Sequence, residues 1–146
     1  RLKKDGSIEG GKDGMDCSLC VYDFSNYKLH ISAANNPVWV VRGEEVLEVK
    51  PDKMPVGKHD KQAISFTQQV VELQKGDIIF TLTDGFSDQF GGEKGKKFLN
   101  KNLRELLAKN AHLDMSVQKQ ILEKTFSDWV GTLEQVDDVC VIGVRV

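Results

Sequence analysis

The sequence predicts an α+β domain, a mainly antiparallel β-sandwich flanked by helices. Short β-branched and apolar runs, punctuated by turn residues, fill its first half. The hydrophobic period then switches to helical spacing over two successive segments, and an apolar block closes the chain. Strands in a row, two helices and a returning strand make a layered sheet-and-helix domain.

A chain of 146 residues suits one domain and can bury a real core. Its 20 basic and 22 acidic residues are interspersed, with no basic stripe carrying interleaved aromatics, which excludes a dedicated nucleic-acid surface. No apolar stretch approaches the ~20 residues needed to cross a bilayer. The start carries no signal-like segment. These features predict a soluble, cytoplasmic chain without direct membrane insertion, while leaving a larger parent free to be tethered elsewhere. The cysteines, Cys17, Cys20 and Cys140, form no disulfide framework and fit a reducing compartment. Cys17 and Cys20 fall in an alternating run, where positions three apart face opposite ways. No ligand pair completes a zinc site, so they read as buried structural thiols.

Residues 1–15 are polar and glycine-rich and read as a flexible connector; residues 16–146 form the domain. Residues 16–22 and 28–33 make a hairpin about the turn Asp23-Phe24-Ser25-Asn26, with Leu29 and Ile31 on one face. Pro37 interrupts, since it cannot donate to a ladder. Residues 38–41 and 46–49 are two short strands around Arg42-Gly43-Glu44-Glu45. Residues 50–60, with two prolines and Gly57, are a loop pinned by Met54 and Val56. Residues 62–73 are β-rich, and Lys75-Gly76 turns the chain into a buried strand over 78–82. That strand ends at Asp84-Gly85. Residues 89–95 read as a glycine-rich surface loop rather than another strand, and Lys94, Lys96 and Lys97 as a solvated face opening the next helix. Phe98, Leu99, Leu103, Leu106 and Leu107 predict a helix over 96–110. A second helix over 115–130 has Asp114 as its N-cap and Gly131 as its stop, with Val117, Ile121, Leu122, Phe126, Trp129 and Val130 along its stripe. Residues 139–146 are a core strand, preceded by Asp137-Asp138.

Chemistry concentrates at two acidic positions. Asp84 closes an apolar strand, where an ionised carboxylate is costly unless something positive meets it; it can also simply make an Asx-turn. Asp137-Asp138 opens another apolar strand; it can also simply solvate a loop. If the two strands are antiparallel neighbours, their carboxylates converge at one rim, repelling each other unless they share a proton or a cation. Oxygen-only ligation suits hard divalent ions, whose waters can attack a phosphoryl group. His30, His59 and His112 stand in no recognisable relation to a serine or cysteine. No P-loop, nucleophile elbow or dinucleotide fingerprint is present.

In order and spacing, Gly76-Asp77 through Thr83-Asp84-Gly85, then Phe90-Gly91-Gly92, then Gln135-Val136-Asp137-Asp138-Val139, resembles the metal-dependent (protein phosphatase 2C-like) protein phosphatases. Met54-Pro55-Val56-Gly57 and Asn36-Pro37 narrow the resemblance to the SpoIIE-type, RsbU-like bacterial serine phosphatases. It covers the chain from about Asp13 onward. It implies a two-metal centre of Mn²⁺ or Mg²⁺ whose water attacks a phosphoprotein, for which an anti-sigma-factor antagonist-like protein is the model. By position, Asp84 and Asp137 match metal-ligating aspartates, with Asp138 as an alternative ligand and Gly85 and Asp88 as supporting neighbours. The family's early Gly-Asp and Asp-x-x-Gly-His-Gly-like segments do not occur in this sequence, and Cys140 stands where the family has threonine. The expectation is therefore the C-terminal portion of a longer phosphatase domain, weakly active or inactive alone. Two alternatives accompany it: a non-catalytic binding module docking a partner at the glycine loop and Phe86/Phe90, and a homodimer through exposed sheet edges.

Overall fold

The computed structural model describes residues 14–57 and 64–146. In chain order the elements are β1 (Gly14–Met15), β2 (Cys17–Asp23), β3 (Lys28–Ala34), β4 (Val38–Arg42), β5 (Glu45–Val49), β6 (Val56–Gly57), β7 (Gln69–Glu72) and β8 (Ile78–Leu82). They continue with α1 (Gly85–Asp88), β9 (Phe90–Gly91), β10 (Lys96–Lys97), α2 (Asn100–Asn110), α3 (Met115–Val130) and β11 (Val141–Arg145).

Two antiparallel sheets make the sandwich, one ordered β11-β8-β4-β5 and the other β2-β3-β7. Side-chain alternation along a strand sends successive residues to opposite faces. Val38 and Val40 of β4 and Ile79 of β8 therefore meet Leu29 and Ile31 of β3 between the sheets. Trp39, Val41, Phe80 and Leu82 face the other way, onto Leu103 and Leu107 of α2 and Phe126 of α3. Burial on both faces explains why β4 and β8 read as unbroken apolar runs. Each fully buried side chain of this size contributes about 1.5–3 kcal/mol. Arg104 of α2 binds Glu48 of β5 at 3.0 Å and lies 5.7 Å from the Trp39 ring, fastening α2 across the sheet.

The predicted α+β sandwich holds, and β8 and α3 have the predicted bounds. Several local expectations do not. Residues 89–95 are not a plain loop, because Phe90–Gly91 pairs with Lys96–Lys97 in a hairpin. α2 starts at Asn100 rather than 96: Phe98 N–H bonds Gln89 O and Leu99 N–H bonds Ser87 O, holding Leu99 at a left-handed φ of 73° outside helical geometry. Tertiary hydrogen bonds override the apolar spacing there. Of the β-rich run 62–73, only Gln69–Glu72 forms a strand, and residues 62–63 lie outside the described residues. Most of the connector 1–15 also lies outside them, but Gly14–Met15 pairs with Val56–Gly57. Met54 is buried, as the loop prediction requires, while Val56 belongs to β6.

Asp114 sits at the N-cap of α3 without a side-chain capping bond, and Gly131 ends the helix at φ 56°. Val117 is exposed, and the buried residue of α3 is Gln118. Cys17 and Cys20 are half-buried rather than the enclosed core thiols expected, because β2 is an outer strand among the described residues; Cys140 is exposed. β11 is likewise a half-exposed terminal strand rather than a core strand.

Candidate functional site

The register of β8 and β11 decides where the acidic motifs fall. Leu82 pairs with Val141, antiparallel, so the end of β8 lies beside the beginning of β11. Thr83 N–H donates to Cys140 O at 3.0 Å, extending the ladder past the last strand pair. The Thr83 hydroxyl donates to Asp138 O at 2.9 Å and accepts from Cys140 N–H at 3.0 Å. The Gly85 α-carbon packs so close to the Asp138 carbonyl that a side chain there would collide with it. Asp84-Gly85 and Asp137-Asp138 thus occupy one rim, as the strand logic requires.

Each acidic side chain has its own local state. Asp84 is exposed and makes no hydrogen bond or ion pair among the described residues; its backbone carbonyl accepts from Ser87 Oγ and Asp88 N–H. The Asx-turn alternative therefore does not form. One Asp137 oxygen accepts from Asp138 N–H at 2.7 Å, and both residues are exposed. Asp88 points elsewhere, pairing with Lys97 Nζ at 2.8 Å across the β9–β10 hairpin. That pair stitches the hairpin to α1.

The support behind the rim was not apparent from sequence. Gln89 is fully buried. Its side-chain amide donates to Glu134 O (2.8 Å) and Phe90 O (3.0 Å), and its Oε1 accepts from Val136 N–H at 3.1 Å. Its backbone carbonyl accepts from Trp129 Nε1 at 3.0 Å and from Phe98 N–H. One side chain thereby fixes the segment that delivers Asp137. Phe86 is buried against Phe98 and Phe126 at ring distances of 5.1 and 5.0 Å, so it anchors α1 and is not the exposed docking aromatic expected; Phe90 is exposed. A second unforeseen contact lies at the opposite end of β8. Asp77 takes a two-pronged bond from Arg42 (Nε 2.9 Å, Nη2 2.6 Å) and another from Gln74 N–H. Burial pushes its carboxyl up, but these bonds outweigh that and hold it below the usual carboxylate range.

A small cleft of about 140 Å³ opens beside the rim, lined by Asp16, Asn36, Thr83 and Cys140 among others. Asp16 went unremarked as a site residue in the sequence; it accepts from Asn35 Nδ2 at 2.7 Å. His30 is hydrogen-bonded to Gln68 and His112 is exposed, while His59 lies outside the described residues. Among the described residues no cluster of three or more His, Cys, Asp or Glu side chains is arranged to hold a metal ion. The backbone pairing brings the Asp84 and Asp137-Asp138 segments to one rim, and the side chains of Asp84 and Asp138 make no hydrogen bond among the described residues. Carboxylate oxygens are the ligand type that hard divalent cations take.

The model of one protein family, Stage II sporulation protein E (SpoIIE), matches residues 4–146. The chain belongs to the SpoIIE family. Its fold matches the SiaA-PP2C domain of Pseudomonas aeruginosa at 27% identity and a TM-score of 0.83, over 90% of this chain and 51% of that one. It also matches the PP2C phosphatase domain with a fragment of the regulatory domain of SpoIIE from Bacillus subtilis (16% identity, TM-score 0.70, 90% of this chain, 37% of that one). A third match is the RsbU and RsbW domains of a Mycobacterium tuberculosis protein (19%, TM-score 0.63, 89% and 35%). This SpoIIE-family chain spans about half, or less, of the length of these structures. No curated protein matches it in sequence. Among its described residues no helix is long and apolar enough to cross a membrane.

Proposed function

We propose that this chain is the C-terminal portion of a metal-dependent serine/threonine protein phosphatase domain in a bacterial signalling protein. The observation that carries the reading is the junction of β8 and β11, where Thr83 binds Asp138 and sets Asp84 and Asp137-Asp138 on one rim. Asp84, Asp137 and Asp138 would hold Mn²⁺ or Mg²⁺. Bound there, the metal supplies an activated water and neutralises charge on a phosphoryl group. The chain's own residues position the carboxylates: Gly85 allows the close approach of the two segments, Thr83 fixes the register, and Gln89 holds the 134–136 segment. Asp88 supports the site indirectly, by pinning α1 to the hairpin.

The substrate on this reading is a phosphoserine or phosphothreonine protein, of the anti-sigma-factor antagonist type, in the cytoplasm. Few carboxylates leave most of a metal's coordination to water, so this chain alone would bind Mn²⁺ weakly and turn over little. The deciding experiment is Mn²⁺-dependent hydrolysis of p-nitrophenyl phosphate by a polypeptide extended upstream of Arg1, with Asp84→Ala as control. Activity lost in the variant is expected; equal activity in both would sink the assignment. Inactivity of both would favour a non-catalytic binding module, for which Phe90 on the β9–β10 hairpin is an exposed aromatic.

A further inference from the structure

The β9–β10 hairpin begins one helical turn from the acidic rim. Asp88 N–H donates to Asp84 O at 2.9 Å, so the two residues stand one turn apart across α1. Lys97 Nζ meets Asp88 at 2.8 Å and lies 5.9 Å from the ring centroid of its cross-strand partner Phe90. The hairpin is firmly seated. Gly92 N–H donates to Trp129 O at 2.9 Å, and at Gly91 a side chain would collide with that same carbonyl. Phe98 closes the seat, buried against Phe86 and Trp129 at ring distances of 5.1 and 5.2 Å.

This seated segment carries groups that its own fold leaves unused. Phe90 and Leu99 are 42% and 54% exposed. Leu99 is unfavourable there twice over, since its left-handed φ of 73° suits glycine rather than leucine and its apolar side chain meets water. Lys94 and Lys96 are exposed and make no hydrogen bond or ion pair among the described residues. Residues 93–101 hold four lysines against the single Glu93, in a chain whose net charge is −2. Unpaired ammonium groups and exposed apolar side chains on one hairpin match a short segment that carries both carboxylates and apolar groups. A nucleic acid or an anionic membrane surface matches poorly. The exposed carboxylates of Asp84, one turn away, and of Asp137-Asp138 on the same rim would repel an extended polyanion.

We propose that the β9–β10 hairpin docks the protein substrate, taking an acidic segment with an apolar residue that lies close to the phosphorylated one. The inference rests on the phosphatase reading. With the phosphoryl group at the Asp84 rim, a few residues of extended substrate, at about 3.3 Å each, reach the hairpin. Carboxylates of that segment pair with Lys94 and Lys96, and its apolar side chain covers Phe90 and Leu99. Lys97 is held by Asp88, so its part is to steady the Phe90 ring rather than to bind.

The test measures fluorescence anisotropy of two labelled phosphoserine peptides on the upstream-extended polypeptide, in EDTA so that no turnover intervenes. In one peptide glutamates and a leucine flank the phosphoserine; in the other, lysines replace the glutamates. The glutamate peptide is expected to bind about 10-fold tighter. Lys94→Glu with Lys96→Glu should abolish that preference, and Phe90→Ser should weaken both peptides. Lys28→Glu with Lys75→Glu, exposed at the opposite end of the sandwich, should preserve it. No binding or equal binding of the two peptides by the parent would overturn the proposal. So would a preference that survives the Lys94 and Lys96 changes, or affinities that Phe90→Ser leaves unchanged. Loss of the preference on the Lys28 and Lys75 changes would also overturn it, by assigning the effect to net charge alone. Mn²⁺-dependent hydrolysis of p-nitrophenyl phosphate is read separately on the same polypeptide. Preference without hydrolysis would overturn the phosphatase reading alone, and hydrolysis without preference the docking surface alone.

Discussion

The Thr83 hydroxyl bonds both to the carbonyl of Asp138 and to the amide of Cys140, so a single oxygen ties the two acidic motifs together across 55 residues of sequence. Strand pairing alone brings the backbones near; the hydroxyl sets how the Asp137-Asp138 turn enters β11.

Thr83→Val keeps the shape and removes both bonds. The rim is partly open to water, so the expected stability loss is about 1 kcal/mol. In the upstream-extended polypeptide, Mn²⁺-dependent turnover should fall by more than this stability loss accounts for, and Thr83→Ser should restore most of it. Full activity in the valine variant would show that the hydroxyl does not position the carboxylates.

Gly85→Ala tests the close approach directly. A methyl group there meets the Asp138 carbonyl and Val139, and backbone cannot yield as a flexible side chain can. The variant should shift the amide resonances of residues 137–140 and weaken Mn²⁺ binding by the extended polypeptide. Unchanged resonances would mean the two segments are not held in contact in solution.

Gln89→Leu strips three part-buried side-chain bonds and leaves Glu134 O and Val136 N–H without their partner. The freed groups belong to exposed residues that water can partly reach, so a loss of about 1–2 kcal/mol is expected in urea unfolding. Faster exchange of the Val136 amide should accompany it. A loss under about 0.5 kcal/mol would place the variant with ordinary surface substitutions and refute the role.

The Arg42–Asp77 pair predicts a pH dependence. Asp77 has a folded pKa below its unfolded value of about 3.9. Its contribution is therefore fully present above about pH 4 and is lost as pH falls through the depressed folded value. Urea midpoints measured from pH 6 down to pH 2 should drop less steeply in Asp77→Asn than in the parent, and the variant should be less stable by about 2 kcal/mol at pH 7, discounted because Arg42 is part-exposed. Parallel pH curves would exclude the pair as a source of acid lability.

The α+β sandwich and the bounds of β8 and α3 were legible in the sequence, because burial imposes periods of two or 3.6 residues and turn residues punctuate them; the antiparallel pairing of β8 with β11 was only a condition there, which the register meets. The same local patterns misplaced the start of α2, because Phe98 and Leu99 satisfy helical spacing while their amides are claimed by Gln89 and Ser87 from another part of the chain. They also called β11 a core strand, since an apolar run is written identically whether or not a neighbour covers it. By itself, the sequence determined which residues form the layers and which acidic motifs close them. Only the tertiary structure decided that Thr83 and Gln89 hold the rim and that Asp88 turns to Lys97, because each depends on which groups distant in sequence find partners.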